Sequence, residues 1–184
     1  MPKIADIEET PNPNAVKFLL KEPVWSGAAR SFQNREEAVV DPIARSLFEI
    51  GDVVSVFYMD RMITVEKDAA ASWDELMPKL AVPIRAAEPV QPGFVVPENG
   101  TSTMPIASDD PRLSQINDIL DERIRPALSG DGGWLEVVDL KENTLSIRYQ
   151  GACGSCPSAI SGTLMAIEGM LKQEVDPELE VVTV

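Results

Sequence analysis

Apolar and polar positions divide the chain into two patterned stretches with an unpatterned one between them. In the first, Ala15-Val16-Lys17-Phe18-Leu19-Leu20 is a short apolar run. It comes after the turn residues Thr10-Pro11-Asn12-Pro13-Asn14 and predicts a strand. Ile43, Leu47 and Ile50 recur at helical spacing, with Asp41 as N-cap and Pro42 at the first helical position. Gly51 is placed to end that helix. Residues 53–58 and 62–66 are β-rich runs around Met59-Asp60-Arg61, the pattern of a hairpin. Trp73, Leu76, Met77, Leu80 and Ile84 then form one helical face, with Pro78 and Pro83 expected to disturb it.

The second stretch opens at Asp110-Pro111, another cap followed by proline. Leu113, Ile116, Leu120, Ile124 and Leu128 step by three or four residues, and Gly130-Asp131-Gly132-Gly133 stops them. Leu135 and Val137, then Leu145, Ile147 and Tyr149, mark two strands around Lys141-Glu142-Asn143. Pro157 begins a helix with Ile160, Leu164, Ile167 and Leu171 on one face, and residues 179–184 are a last β-rich run. Helix, hairpin, helix and strand make a small α+β layer.

Between the stretches, Pro89, Pro92, Pro97 and Pro105 recur with Gly93 and Gly100, and no apolar period survives. The expected organisation is a domain over 1–85, a Pro-rich linker over 86–108 and a second domain over 109–184. The fold class is α+β: two small α/β-layer domains joined by the linker. Each is small but able to fold alone.

Charge narrows the partners. The formal net charge is -14, and Lys and Arg form no stripe, so a nucleic-acid surface is not expected. No run of about 18 apolar residues exists, so no membrane-spanning helix is expected. The acidic start of the chain reads neither as a secretory signal nor as a transit peptide, which points to a bacterial cytoplasm, with the mitochondrial matrix as the alternative.

Chemistry concentrates in Gly151-Ala152-Cys153-Gly154-Ser155-Cys156-Pro157. These are the two cysteines of the chain, and it has no histidine. Cys156 precedes a helix, where unpaired amides and the dipole favour an anion such as a thiolate. Gly151 and Gly154 clear side chains from the sulfurs, so that backbone N–H groups can point at them. Three chemistries use this spacing. A structural zinc ion wants four protein ligands, and one chain supplies two. A dithiol–disulfide oxidoreductase also places CxxC at a helix start, but expects a βαβ unit before it and more sheet after it. An iron–sulfur cluster between two symmetry-related loops would complete a four-thiolate set and be held loosely enough to release.

The second stretch resembles the C-terminal domain of the NifU-like (Nfu) iron–sulfur scaffold family. The matching residues are Ile124-Arg125-Pro126, Asp131-Gly132-Gly133, Gly151-Ala152-Cys153 with Cys156-Pro157-Ser158, and Thr163-Leu164 with Ile167-Glu168. The first stretch resembles the N-terminal domain of many Nfu proteins, through residues 10–15, Lys17-Phe18, Asp41-Pro42-Ile43-Ala44, Leu47-Phe48 and Ile63-Thr64-Val65. The resemblance implies a homodimer bridged by a 4Fe–4S cluster, with a 2Fe–2S form as the other option. It implies Cys153 and Cys156 as ligands. The partners implied are apo iron–sulfur clients and the cluster assembly machinery, and no catalysis is implied. Trp134 departs from the small polar or acidic residue frequent after Asp-Gly-Gly. Its readings are a residue under the loop, a shield, a client contact, or a core residue opening a strand.

Overall fold

The structure is a computed structural model. It describes residues 3–25, 27, 29–87, 110–154 and 157–184, with the backbone alone for 157–159. Of the expected linker only Ala86 and Ala87 are described, and both belong with the first domain: Ala86 ends a helix and Ala87 joins its core. The chain divides into two compact units, 1–102 and 103–184.

The N-terminal unit is a five-stranded antiparallel sheet backed by helices. Its strands are β1 (Ile4–Glu9), β2 (Ala15–Leu20), β3 (Arg30–Phe32), β4 (Val53–Met59) and β5 (Met62–Lys67), in spatial order β1-β2-β5-β4-β3. Alternation sends Val16, Phe18, Val56, Tyr58, Ile63 and Val65 to one face. There they meet Ile43, Ala44, Leu47 and Phe48 of α1 (Pro42–Phe48) and Leu76, Leu80 and Ile84 of α2 (Trp73–Ala86). Asp41 caps α1 as expected, its side chain accepting from the N–H groups of Ile43 and Ala44. It also accepts from Tyr58 Oη and, at 2.8 Å, from Arg30 Nη1, in a buried network. The guanidinium of Arg30 lies 4.8 Å from the Trp25 ring centre.

Details of this unit differ from the pattern reading. β1 is an additional strand at the sheet edge, paired with β2 and carrying Asp6, Glu8 and Glu9. Charged side chains are normal on an edge strand, because they discourage further pairing. In addition, α2 runs unbroken through Pro78 and Pro83. Pro78 is exposed, so the carbonyl deprived of its partner can meet water, while Leu76, Leu80 and Ile84 hold the opposite face in the core.

The C-terminal unit opens with α3 (Pro111–Ile119), passes through a π-helical turn at Leu120–Ile124, and continues as α4 (Arg125–Gly130). Asp110 caps α3 by accepting from Arg112 N–H at 2.9 Å. β6 (Gly133–Lys141) and β7 (Thr144–Gly151) form the expected hairpin, α5 (Pro157–Glu174) comes next, and β8 (Glu180–Thr183) returns parallel to β7. Leu113, Ile116, Leu120, Leu135, Leu145, Ile147, Ile167 and Leu171 share one core.

The π turn corrects the expectation of a regular helical face through Ile124. Pro126 has no N–H to give, and just ahead of it Arg125 N–H reaches back five residues to Leu120 O. The extra residue in the turn rotates the helical residues after it. Ile124 is only half-buried, and Arg125 turns inward to 8% exposure. Each nitrogen of its guanidinium donates: Nε to Leu135 O, Nη1 to Asp121 and Nη2 to Asn117. One charged side chain thus pins the helix to the edge of the sheet.

Candidate metal centre

The cysteine loop leaves the end of β7 and is closed by main-chain bonds. Gly151 stands opposite Gly133 in the β6–β7 register and takes φ +67°, in the left-handed region that favours glycine. Ala152 N–H donates to Gly132 O at 3.1 Å, and Gly154 N–H donates to Gly151 O at 3.0 Å. These two amides close the loop.

The glycine pair opposite the loop sets its shape. Gly132 has φ +78°. A Cβ on Gly133 would stand 2.5 Å from Cys153 Sγ and 2.9 Å from both Cys153 Cβ and Gln150 O. Cys153 therefore occupies space that any side chain at 133 would claim. Its own side chain is 6% exposed and belongs to the core of the unit. Gly133 is needed for the thiol to sit where it does, a reason the sequence alone did not reveal.

Cys156, the second expected ligand, lies outside the described residues, as does Ser155. Among the described residues, no group of three or more His, Cys, Asp or Glu side chains is placed to hold a metal ion. A shallow cavity in the N-terminal unit, lined by Asp52, Ser72, Glu75 and Lys79 among others, contains no cysteine.

Two further features surround the loop. Tyr149 lies one row from the Gly133–Gly151 pair on the inner face of the sheet, opposite Leu135. Its hydroxyl is buried with no hydrogen-bond partner among the described residues. Burial, with Cys153 nearby, pushes the phenol up to about 12. On the outer face, Gln150 donates to Glu136 at 2.9 Å, and burial raises the Glu136 carboxyl above its ordinary range. Trp134 is the next residue of β6 after Gly133, so its side chain points to that outer face, away from Cys153. It is half-buried, with the Arg125 guanidinium 5.5 Å from its ring centre. A place beneath the cysteine is thereby corrected to a place on the far side of the sheet.

Comparisons with known proteins identify a family. The family model described as "Scaffold protein Nfu/NifU N terminal" matches residues 4–87, and that of the "NifU-like domain" matches 116–182. The mitochondrial NFU1 iron-sulfur cluster scaffold homolog of Homo sapiens is 33% identical over 174 residues, covering 94% of this chain and 68% of its own. The mitochondrial NifU-like protein 4 of Arabidopsis thaliana is 33% identical over 173 residues, covering 91% of this chain. The chain spans 61% of the length of that plant relative. Among solved structures, protein SAV1430 of Staphylococcus aureus is 27% identical, with a TM-score of 0.39, over 45% of this chain and 98% of its own. The chain belongs to the Nfu/NifU family, with an Nfu N-terminal domain followed by a NifU-like domain.

Proposed function

We propose that this chain carries an iron–sulfur cluster between two copies of itself and hands it to apo-proteins, with Cys153 and Cys156 as its ligands. The cluster is cargo, and no residue is assigned a catalytic role. The observation that carries the reading is the fit of Cys153 into a space emptied of side chains by Gly133, in a chain with two thiols and no histidine. A four-thiolate set then requires two loops, which a twofold axis supplies. The relatives named as iron-sulfur cluster scaffolds support the same role.

A 4Fe–4S core is the proposed cargo, as the family resemblance implies; four thiolates from two loops suit it and a 2Fe–2S core alike. Gly133 leaves room for the Cys153 sulfur, and the bonds of Ala152 and Gly154 fix the loop backbone beside it. Few protein contacts per chain favour release to a client that offers a complete site of its own. The first domain, extended through Ala87, takes a docking role in this reading, with the linker after it keeping a docked client near the cluster. The partners of this reading are a second copy, apo iron–sulfur clients and the assembly machinery. Nucleic acid and membrane have no place in it. The relatives' names place those proteins in mitochondria, which supports the mitochondrial alternative over a bacterial cytoplasm.

Anaerobic reconstitution with iron and sulfide tests the reading. Brown protein with about half a cluster per chain is expected. Cys153→Ser and Cys156→Ser should each abolish it. A stable cluster retained by either variant would remove that residue as a ligand. Iron-free reduction of disulfide substrates with turnover would favour a dithiol oxidoreductase instead.

A further inference from the structure

Three buried side-chain polar atoms lack a hydrogen-bond partner among the described residues: Thr64 Oγ1, Gln150 Oε1 and Tyr149 Oη. Thr64 lies in the N-terminal unit. Gln150 is already anchored through its amide nitrogen to Glu136. Tyr149 stands apart because of its position. It is 9% exposed and shares a core with Cys153. In the β6–β7 register the Gly133–Gly151 row carries no side chains, the Cys153 sulfur occupies that gap, and the next row on the same face holds Tyr149. A buried donor left unmade is costly, and each such group in a native protein calls for an explanation, among them a functional role, an ion or a water. The amides of Ala152 and Gly154 each donate to a carbonyl of the loop or its facing turn.

We propose that Tyr149 is a positioning residue for the cargo, its hydroxyl donating a hydrogen bond to sulfur at the Cys153 corner of the bound cluster. This rests on the cluster-carrier reading above. Donors to ligand and cluster sulfur spread the negative charge of the core and tune how firmly it is held and how readily it is reduced. In a twofold assembly each chain contributes one such donor. Loading satisfies the phenol that the unloaded fold leaves unmade, so the hydroxyl matters to the loaded form and is a burden to the empty one.

That opposition of signs gives the test. Tyr149→Phe removes the donor and keeps the ring. The empty variant should melt at the same temperature as the parent or higher, and it should load the same iron per chain. The loaded variant should surrender iron to a chelator about tenfold faster, the scale of one hydrogen bond to a charged group. Its iron–sulfur stretching bands in the resonance Raman spectrum should lose part of the shift that the parent shows in D2O. Its reduction potential should fall. Tyr149→Leu should release at the faster rate as well, since only the hydroxyl counts. Equal release rates and equal D2O shifts in parent and Phe variant would overturn the inference while leaving the carrier reading intact. A Phe variant whose empty form is less stable than the parent would assign the hydroxyl a structural role and also overturn it. A parent that fails to load, or a Cys153→Ser variant that loads as well as the parent, would defeat the carrier reading and this inference together.

Discussion

Gly133 and Cys153 compete for one volume: a Cβ on the glycine would lie 2.5 Å from the cysteine sulfur. The nearest main-chain atom, Gln150 O, would be 2.9 Å away and belongs to the paired strand, so it cannot swing aside. Gly133→Ala should therefore cost the NifU-like domain about 1–3 kcal/mol, the usual penalty of overpacking. It should also displace the thiol. Denaturant unfolding together with iron loading checks both, and a variant as stable as the parent that loads normally would contradict the geometry.

Gly132 precedes it with φ +78°. Placing a Cβ there costs about 1–2 kcal/mol for an ordinary residue, and less for Asn, which tolerates the left-handed region. Gly132→Ala should destabilise by that amount and Gly132→Asn by visibly less. The ordering of the two denaturation midpoints is the measurement, and equal midpoints would mean that the turn has other ways to relax.

Much of this was readable as pattern. The Asp41 and Asp110 caps, both hairpins, and the Ile167–Leu171 face of α5 arise from spacing and turn chemistry, which are local properties. The features that escaped depend on partners distant in sequence. β1 reads as an acidic tail until its pairing with β2 is known. β3 is three residues long and contains Arg30, whose charge is absorbed by Asp41 and the Trp25 ring. The inward turn of Arg125 needs the π turn ahead of Pro126. At the site, Cys153 was visible from composition. The reason for Gly133 and the orphaned hydroxyl of Tyr149 appear only when two strands are brought into register.

In the N-terminal domain Asp41 caps α1 and neutralises a buried Arg30 with one carboxylate. Asp41→Ala removes both functions and strands the cation, a loss of about 3–5 kcal/mol for a broken buried pair. That domain should unfold at markedly lower denaturant while iron loading at Cys153 persists. Parallel loss of loading at denaturant concentrations where the NifU-like domain is intact would show that the two domains do not behave independently.

Glu136 gives a pH dependence with a definite sign. Burial raises its folded-state pKa, so the protonated form is the better tolerated one. The stability this group contributes is fully present below its unfolded value and is lost as pH rises through the folded one. At neutral pH the ionised carboxylate is a burden that Glu136→Gln relieves. The Gln variant should melt higher than the parent at pH 7, with the gain shrinking toward pH 4. A gain independent of pH would separate the effect from ionisation.

The central claim is that two chains share one cluster. Native mass spectrometry of the anaerobically reconstituted protein reads chain count and cluster composition in a single spectrum. The expected species is two chains plus one 4Fe–4S core, disappearing in both Cys153→Ser and Cys156→Ser. A single chain carrying a complete core, with no added thiol, would contradict the account.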